Sequence, residues 1–181
     1  MTKRWTILLI ILSLLGCKKE QVTSNCAVNY QIDSSISYSL EHTWKFIGFQ
    51  KEGSTLIEYP PCEGYEYYAQ LNSDFEMTIS FSDTLHTIND TIIYMLPYGF
   101  KGKATLNEYY GTYETDIYNK LTIGPIASTK IGGSIVLMDY EEKYLAKLKN
   151  IERFDIQNNV LTIWCNRTDK MLFVLKKTET K

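Results

Sequence analysis

Residues 139–177 constrain the fold most strongly, because the spacing of their apolar residues changes from a helical period to an alternating one. Tyr140, Tyr144 and Leu148 recur at helical spacing. The residues that follow alternate in three runs: Phe154 and Ile156, then Leu161 and Ile163, then Met171, Phe173 and Leu175. Alternation of this kind is typical of strands with one buried face. The segment therefore predicts a helix followed by a three-stranded antiparallel meander.

The predicted helix begins at Asp139. Asp139 and Glu142 have the spacing of a capping box, in which each side chain accepts a hydrogen bond from a backbone N–H group at the helix start. Acids in the first turn and lysines after them match the helix dipole. This position explains the acidic residues Asp139, Glu141 and Glu142 without a catalytic role.

Further alternating runs precede the helix. They are residues 42–49, 65–71, 75–82, 92–96, 100–106, 109–114 and 120–123. The first run places Trp44 in the core, and the second and third, joined at Asn72-Ser73-Asp74, predict a hairpin with one buried face. Many short strands with one helix predict a mainly β, α+β fold, in which the helix plugs or flanks a barrel-like antiparallel sheet.

The N-terminus has the pattern of an export signal. Lys3 and Arg4 precede an apolar run that is too short for an ordinary membrane span. The run ends in Leu14-Leu15-Gly16-Cys17, which resembles the lipobox of bacterial lipoproteins. We therefore predict a signal peptide at residues 1–16 and acylation of Cys17, for example with palmitate. The alternatives are a conventional cleaved signal and an ordinary thiol at Cys17.

The residues after Cys17 bear on localisation. Lys18 and Lys19 follow it, and similar lipoproteins without an aspartate at the second position are forwarded to the outer membrane. Surface-exposed lipoproteins of some bacteria carry an acidic cluster there, whereas this chain has only Glu20. We therefore expect a protein anchored in the cell outer membrane, facing the periplasm, with residues 17–40 as a polar tether.

Length and charge favour one domain that does not bind nucleic acid. Removing residues 1–16 from the 181-residue chain leaves 165 residues, enough for one well-packed domain. It also removes two basic residues, Lys3 and Arg4, and so changes the formal charge from −2 to −4. A mildly acidic, mixed surface lacks the concentrated basic face that nucleic acid requires.

The mature chain would keep three other cysteines, and an oxidising compartment allows them one bridge. Cys26 and Cys62 lie in loop-like sequence, whereas Cys165 shares a strand face with buried residues. The sequence does not fix the pairing. We predict a Cys26–Cys62 bond and a reduced, buried Cys165.

We find no motif for catalysis, metal or cofactor binding. The two histidines, His42 and His86, have no acid or cysteine at ligand spacing beside them. The Gly132-Gly133 pair is not a phosphate loop and is better explained as a turn into the helix. We expect no enzyme activity, no metal and no cofactor.

One motif resembles the META domain, the heat-shock HslJ-like family of envelope lipoproteins. That family has an Asn-x-Tyr-x-Gly-x-Tyr stretch, matched by Asn107, Tyr109, Gly111 and Tyr113. Its helix motif is matched by Glu141, Tyr144, Leu145 and Leu148. The resemblance covers residues 43–175. The family often has cysteines before the motif asparagine and after the central threonine, and this chain has neither, so a disulfide between those places is absent.

The resemblance implies a META-like domain at residues 41–177, with a probable insertion at residues 58–98. Members of the family have no agreed enzymatic activity, so it also implies a non-catalytic binding or structural role. The membrane is the expected partner, through the lipid anchor, and a protein or small-molecule partner is not identified. The alternative function is a β-barrel lipoprotein that binds a small molecule or lipid. We further interpret residues 107–113 as a structural bend, with Gly111 marking a bulge, a positive φ or a close backbone approach.

Overall fold

The computed structural model describes residues 26, 30–33, 39–82 and 98–177. The strands are β1 (Thr43–Lys51), β2 (Ile57–Glu58), β3 (Thr78–Ser82), β4 (Gly99–Lys103), β5 (Glu108–Thr115), β6 (Leu121–Ile123), β7 (Ala127–Ser128), β8 (Ile151–Gln157), β9 (Val160–Cys165) and β10 (Asp169–Leu175). The helices are α1 (Cys62–Gln70) and α2 (Ile135–Leu148).

The strands form one antiparallel sheet that curls into a nearly closed barrel. Its order is β6-β5-β4-β3-β1-β10-β9-β8, with β2 added beside β1 and β7 beside β5. The two end strands approach each other, because Lys120 bridges to Arg153 and the Phe154 amide donates to the Asn119 carbonyl at 3.0 Å. The predicted mainly β, barrel-like α+β fold is therefore confirmed.

Aromatic side chains fill the interior of the barrel around α2. Tyr144 of the helix meets Phe46 edge-on at 5.1 Å between ring centroids, and Phe46 meets Phe173 at 5.2 Å. Trp44, Tyr144 and Phe173 have no exposed surface. Edge-to-face contacts of this kind add to the stabilisation from burial.

The predicted C-terminal meander is confirmed. In β9 and β10, Ile163 pairs with Met171 and Leu161 with Phe173, and all four side chains are fully buried. The alternating pattern was informative here because one face of each strand lies in the core while most residues of the other face are partly exposed.

The predicted strand at residues 65–71 is wrong, because residues 62–70 form α1. Gly64 and Tyr68, one helical turn apart, are the buried residues of this helix. The Tyr68 hydroxyl donates to the Thr105 carbonyl at 3.0 Å, and the Tyr65 ring contacts Phe75. In a strand these two tyrosines, three positions apart, would point to opposite faces, so the two contacts favour a helix. The tyrosines of α1 would suit a strand as well as a helix, since each has an apolar ring and a polar hydroxyl. The described residues thus contain two helices instead of one, and the predicted hairpin of residues 65–82 is wrong as well, because β3 pairs with β1 and β4.

The predicted start of the second helix at Asp139 is also wrong. The helix α2 begins at Ile135, and the Ser134 hydroxyl caps it by accepting a hydrogen bond from the Leu137 amide at 3.3 Å. Asp139 lies in the second turn, where the backbone amides already bond within the helix. The first turn was missed because Ile135 and Val136 are exposed and break the expected pattern.

Several predictions concern residues outside the described ranges. They are the signal peptide at 1–16, Cys17, most of the tether at 17–40, the strand at 92–96 and His86. The described parts of the 58–98 segment contain α1 and β3, and residues 75, 77, 79 and 81 are buried as the alternation predicted.

Candidate functional site

The motif asparagine and a helix glutamate meet in a buried polar cluster. We call it the Asn107–Glu141 cluster, and it comprises the buried side chains of Thr105, Asn107 and Glu141, with the exposed Thr129 at its edge. It lies where the turn between β4 and β5 meets α2 and the segment after β7. Asn107 is 6% exposed and Glu141 is 7% exposed.

The carboxylate of Glu141 is surrounded by hydrogen-bond donors. Its Oε2 atom accepts from the amides of Leu106 at 2.8 Å and Asn107 at 3.0 Å. The Oε1 atom accepts from Asn107 Nδ2 at 2.6 Å. The Thr105 hydroxyl donates to the Leu137 carbonyl at 2.7 Å and lies 3.2 Å from Oε2. Donors to a carboxylate are among the stronger hydrogen bonds in proteins. The side chain therefore fixes α2 to the β4–β5 turn, and few of its acceptor positions remain for a substrate.

Asn107 extends the cluster to the segment after β7. Its Oδ1 atom accepts from the Ile131 amide at 2.6 Å and from the Thr129 hydroxyl at 2.9 Å. Its Nδ2 atom donates to the Ile131 carbonyl at 3.1 Å as well as to Glu141. The side chain therefore satisfies the backbone N–H and C=O groups of Ile131, which lies 24 positions away in the sequence. Asn107 thus holds three separate segments together.

The two motif tyrosines point into the barrel. The Tyr109 hydroxyl donates to the Thr78 carbonyl at 2.8 Å and lies 2.7 Å from the Tyr144 hydroxyl. Burial raises the pKa of both Tyr109 and Tyr144 well above the usual tyrosine value. Tyr113 packs edge-on against Phe81 at 5.1 Å. Tyr109 and Tyr113 share one face, as strand periodicity predicts, and act as core residues.

Gly111 is required by a close approach and not by a bend. β4 and β5 pair through Phe100 and Gly111 in a continuous register. A Cβ atom on Gly111 would lie 2.7 Å from the Phe100 ring and 2.9 Å from the Pro125 carbonyl oxygen. Of the three possibilities predicted for Gly111, the geometry agrees with the close approach, because the glycine makes room for a cross-strand ring and a backbone carbonyl. The register has no bulge at this residue and its φ is not positive.

The cysteines offer no exposed nucleophile among the described residues. Cys26 is disulfide-bonded to Cys62, the first residue of α1. Cys165 is free and buried, and burial raises the pKa of its thiol to about 12. A thiol in such surroundings is unreactive at neutral pH.

A groove of about 920 Å³ lies outside the barrel, between residues 30–31 and the strands β1 and β10. Lys45 and Lys176 both pair with Glu76 there, Lys45 at 2.9 Å. Burial opposes ionisation of Glu76, but hydrogen bonds from the two lysines outweigh it and lower the pKa of the carboxyl. Both lysines are paired with the one carboxylate, so this triad carries a net charge of +1 in which all three groups take part in ion pairs.

The described residues contain no group of three or more histidines, cysteines or acids arranged to hold a metal ion. His42 lies just before β1, 6.5 Å from the Trp44 ring. Within the same ranges, neither helix reaches the length and apolarity of a membrane span.

Sequence reasoning missed the structural role of Glu141. Leu137, Glu141, Tyr144 and Leu148 are all buried on one face of α2. An acid within an apolar stripe at helical spacing signals a buried carboxylate that needs donors. That signal was present, but the wrong helix start placed Glu141 in an exposed first turn.

Comparison with known proteins agrees with this geometry. The model of the META domain family matches residues 77–178, more than half of the chain. A protein from Burkholderia xenovorans solved by NMR has a similar fold, with a TM-score of 0.54 at 16% identity over 83% of this chain and 100% of that one.

A crystal structure of a DUF4847 family protein from Bacteroides vulgatus gives a TM-score of 0.47 at 17% identity, over 77% of this chain and 96% of that one. No curated protein matches the sequence. The family match spans the motif strand, α2 and the meander. The chain therefore belongs to the META domain family.

Proposed function

We propose that this protein is a lipid-anchored component of the cell envelope whose META domain has a non-catalytic binding or structural role. The observation that carries the proposal is Leu14-Leu15-Gly16-Cys17 after a basic start and an apolar run. The Cys26–Cys62 bond supports it, since stable disulfides are typical of exported proteins. The proposed location is the outer membrane, on the periplasmic side.

The use of the buried polar groups supports a non-catalytic role. Glu141 accepts three hydrogen bonds from within the domain. Tyr109 bonds to Thr78 and lies against Tyr144 in the core. A general acid or base must be within reach of a substrate, and these groups are enclosed by the fold.

The alternative function, a barrel that carries a small molecule or lipid, lacks a supporting observation. Ligand pockets are concave spaces with mostly apolar walls. Here Phe46, Tyr144 and Phe173 contact one another in the centre of the barrel, where a ligand would lie. We therefore favour a role in which the outer surface of the domain makes the contacts.

Metabolic labelling with palmitate tests the anchor. Cys17→Ser removes the thiol that would accept the lipid, so we expect no label and an uncleaved precursor. The double variant Cys26→Ser/Cys62→Ser serves as the matched control, because it removes two cysteines but keeps the proposed acceptor. Label on the Cys17→Ser protein would overturn the anchoring proposal.

A further inference from the structure

Four apolar side chains are exposed at the start of α2 and in the segment before it. We call Ile131, Ile135, Val136 and Met138 the α2 patch, and they are 59%, 71%, 45% and 41% exposed. Ile135 and Met138 are three residues apart in the helix and so share a face. Single exposed apolar residues are ordinary, but a group of them marks a surface that contacts something else.

The disulfide brings the N-terminal segment to the side of this patch. Cys62 begins α1, and the next residue, Glu63, accepts a hydrogen bond from the Ser134 hydroxyl at 3.0 Å. Ser134 is the N-cap of α2 and directly precedes Ile135. The covalent bond to Cys26 therefore lies beside the first turn of the helix that carries the patch.

The chain between the bond and the proposed anchor is short. Cys17 precedes Cys26 by nine positions, and an extended chain of that length spans at most about 30 Å. The side of the domain that holds Cys62 is thus kept close to the bilayer. A short tether also raises the effective concentration of the lipid surface near the patch.

We infer that the α2 patch rests in the interfacial region of the membrane that holds the lipid anchor. The inference depends on the proposed function, because it requires an acylated Cys17. Apolar side chains at a helix end can enter the boundary between headgroups and acyl chains. Glu63 and Asp139 flank the patch, and Lys130 directly precedes Ile131, so the charges around it are mixed and include no basic cluster. Apolar burial therefore provides the contact, and phosphatidylcholine is a sufficient surface.

The lipid surface is favoured over a protein partner by the covalent path to Cys17. A protein partner would need a surface that the proposed anchor leaves accessible. The bilayer is within reach of this side of the domain at all times once Cys17 is acylated. A second copy or another protein remains an outcome that the test distinguishes.

Fluorescence quenching tests the inference on the full mature protein. The acylated protein, carrying Ile135→Trp, is reconstituted into phosphatidylcholine vesicles whose acyl chains are brominated. We expect the added tryptophan emission to be lost to the lipid bromines. Met138→Trp provides a second probe in case one variant folds poorly.

Ile117→Trp is the matched control. Ile117 is 88% exposed and lies just after the last residue of β5, whereas Asn107 lies just before the first residue of that strand. A tryptophan at position 117 should therefore keep its emission. Equal quenching of the two probes, or none at Ile135, would overturn the inference. Shielding of the Ile135 probe from aqueous iodide without quenching by lipid would mean that protein covers the patch, and would also overturn it.

Mass spectrometry of the same sample separates the two proposals. An acylated protein without quenching refutes the membrane contact and leaves the anchor intact. A protein that carries no lipid on Cys17 refutes the anchor, and the membrane contact with it.

Discussion

The two helices of this domain are held to it in different ways. α2 has 14 residues, a serine N-cap and five buried side chains. α1 has 9 residues, no side-chain cap and only Gly64 and Tyr68 buried, and it is joined through Cys62 to the N-terminal segment. α2 is thus part of the core, whereas α1 buries fewer side chains and is covalently bonded to the N-terminal segment.

The two helices also differ in the side chains that surround them. Two residues of the family motif, Asn107 and Tyr109, are buried and contact α2 through Glu141 and Tyr144. The end of the domain near Cys62 carries exposed apolar side chains instead. We therefore expect mutations at the Asn107–Glu141 cluster to lower stability and mutations at the α2 patch to leave it unchanged.

The largest effect is expected from Glu141→Leu. It removes the acceptor of the Leu106 and Asn107 amides, and each buried donor left without a partner costs about 1–3 kcal/mol. We expect a loss of about 3–5 kcal/mol in the free energy of unfolding, measured with urea. Glu142→Leu, at an exposed neighbour, is the control and should change stability by less than about 0.5 kcal/mol. A loss below about 1 kcal/mol at Glu141 would show that α2 does not depend on the cluster.

Removal of the disulfide should have the next largest effect. The bond closes a loop with a sequence separation of 36, and the chain-entropy model gives a stabilisation of about 3–4 kcal/mol for that length. We expect Cys26→Ser/Cys62→Ser to lower the urea midpoint and to open α1 to proteolysis before α2. Reduction of the parent protein should give the same result, because Cys165 takes no part. Unchanged protease resistance would mean that packing alone holds α1.

Gly111→Val should cost about 1–3 kcal/mol, because the new side chain would meet the Phe100 ring and the Pro125 carbonyl. Tyr113→Phe, on the same strand, should cost less. Thermal melts of the domain without residues 1–17 compare the two. A Gly111→Val protein that is as stable as the parent but defective in the cell would identify the motif as a binding site.

The smallest effect on stability is expected from loss of the N-cap of α2. Ser134→Ala should destabilise α2 by about 1 kcal/mol, because the Leu137 amide loses its acceptor. Ser128→Ala, at an exposed position of β7, is the control. If both changes have the same effect, the difference in capping between the two helices has no consequence for stability.

Local patterns in the sequence were sufficient to predict most of the sheet. The meander was correct because Leu161, Ile163, Met171 and Phe173 face one continuous core, so that alternation and burial coincide. Tyr65 to Leu71 misled the interpretation because tyrosine suits a half-buried strand and a half-buried helix equally well. Tertiary contacts of Tyr68 with Thr105 and of Tyr65 with Phe75 favour the helix in this segment.

The candidate site was harder to predict because its partners are distant in sequence. The motif identified Asn107 and the helix pattern included Glu141, but neither indicated a bond between residues 34 positions apart. The close approach at Gly111 likewise depends on Phe100 and Pro125, which only the folded sheet brings together. Periodicity reports which face is buried, and it does not report which polar group meets which.

A double-mutant cycle between Asn107 and Glu141 tests the central claim that the family motif locks α2 to the sheet. Urea unfolding of Asn107→Ala, Glu141→Leu and the double variant yields the coupling energy. Because the two side chains share a buried network, we predict a coupling of about 1–3 kcal/mol. A coupling near zero, with each variant folded, would contradict the claim.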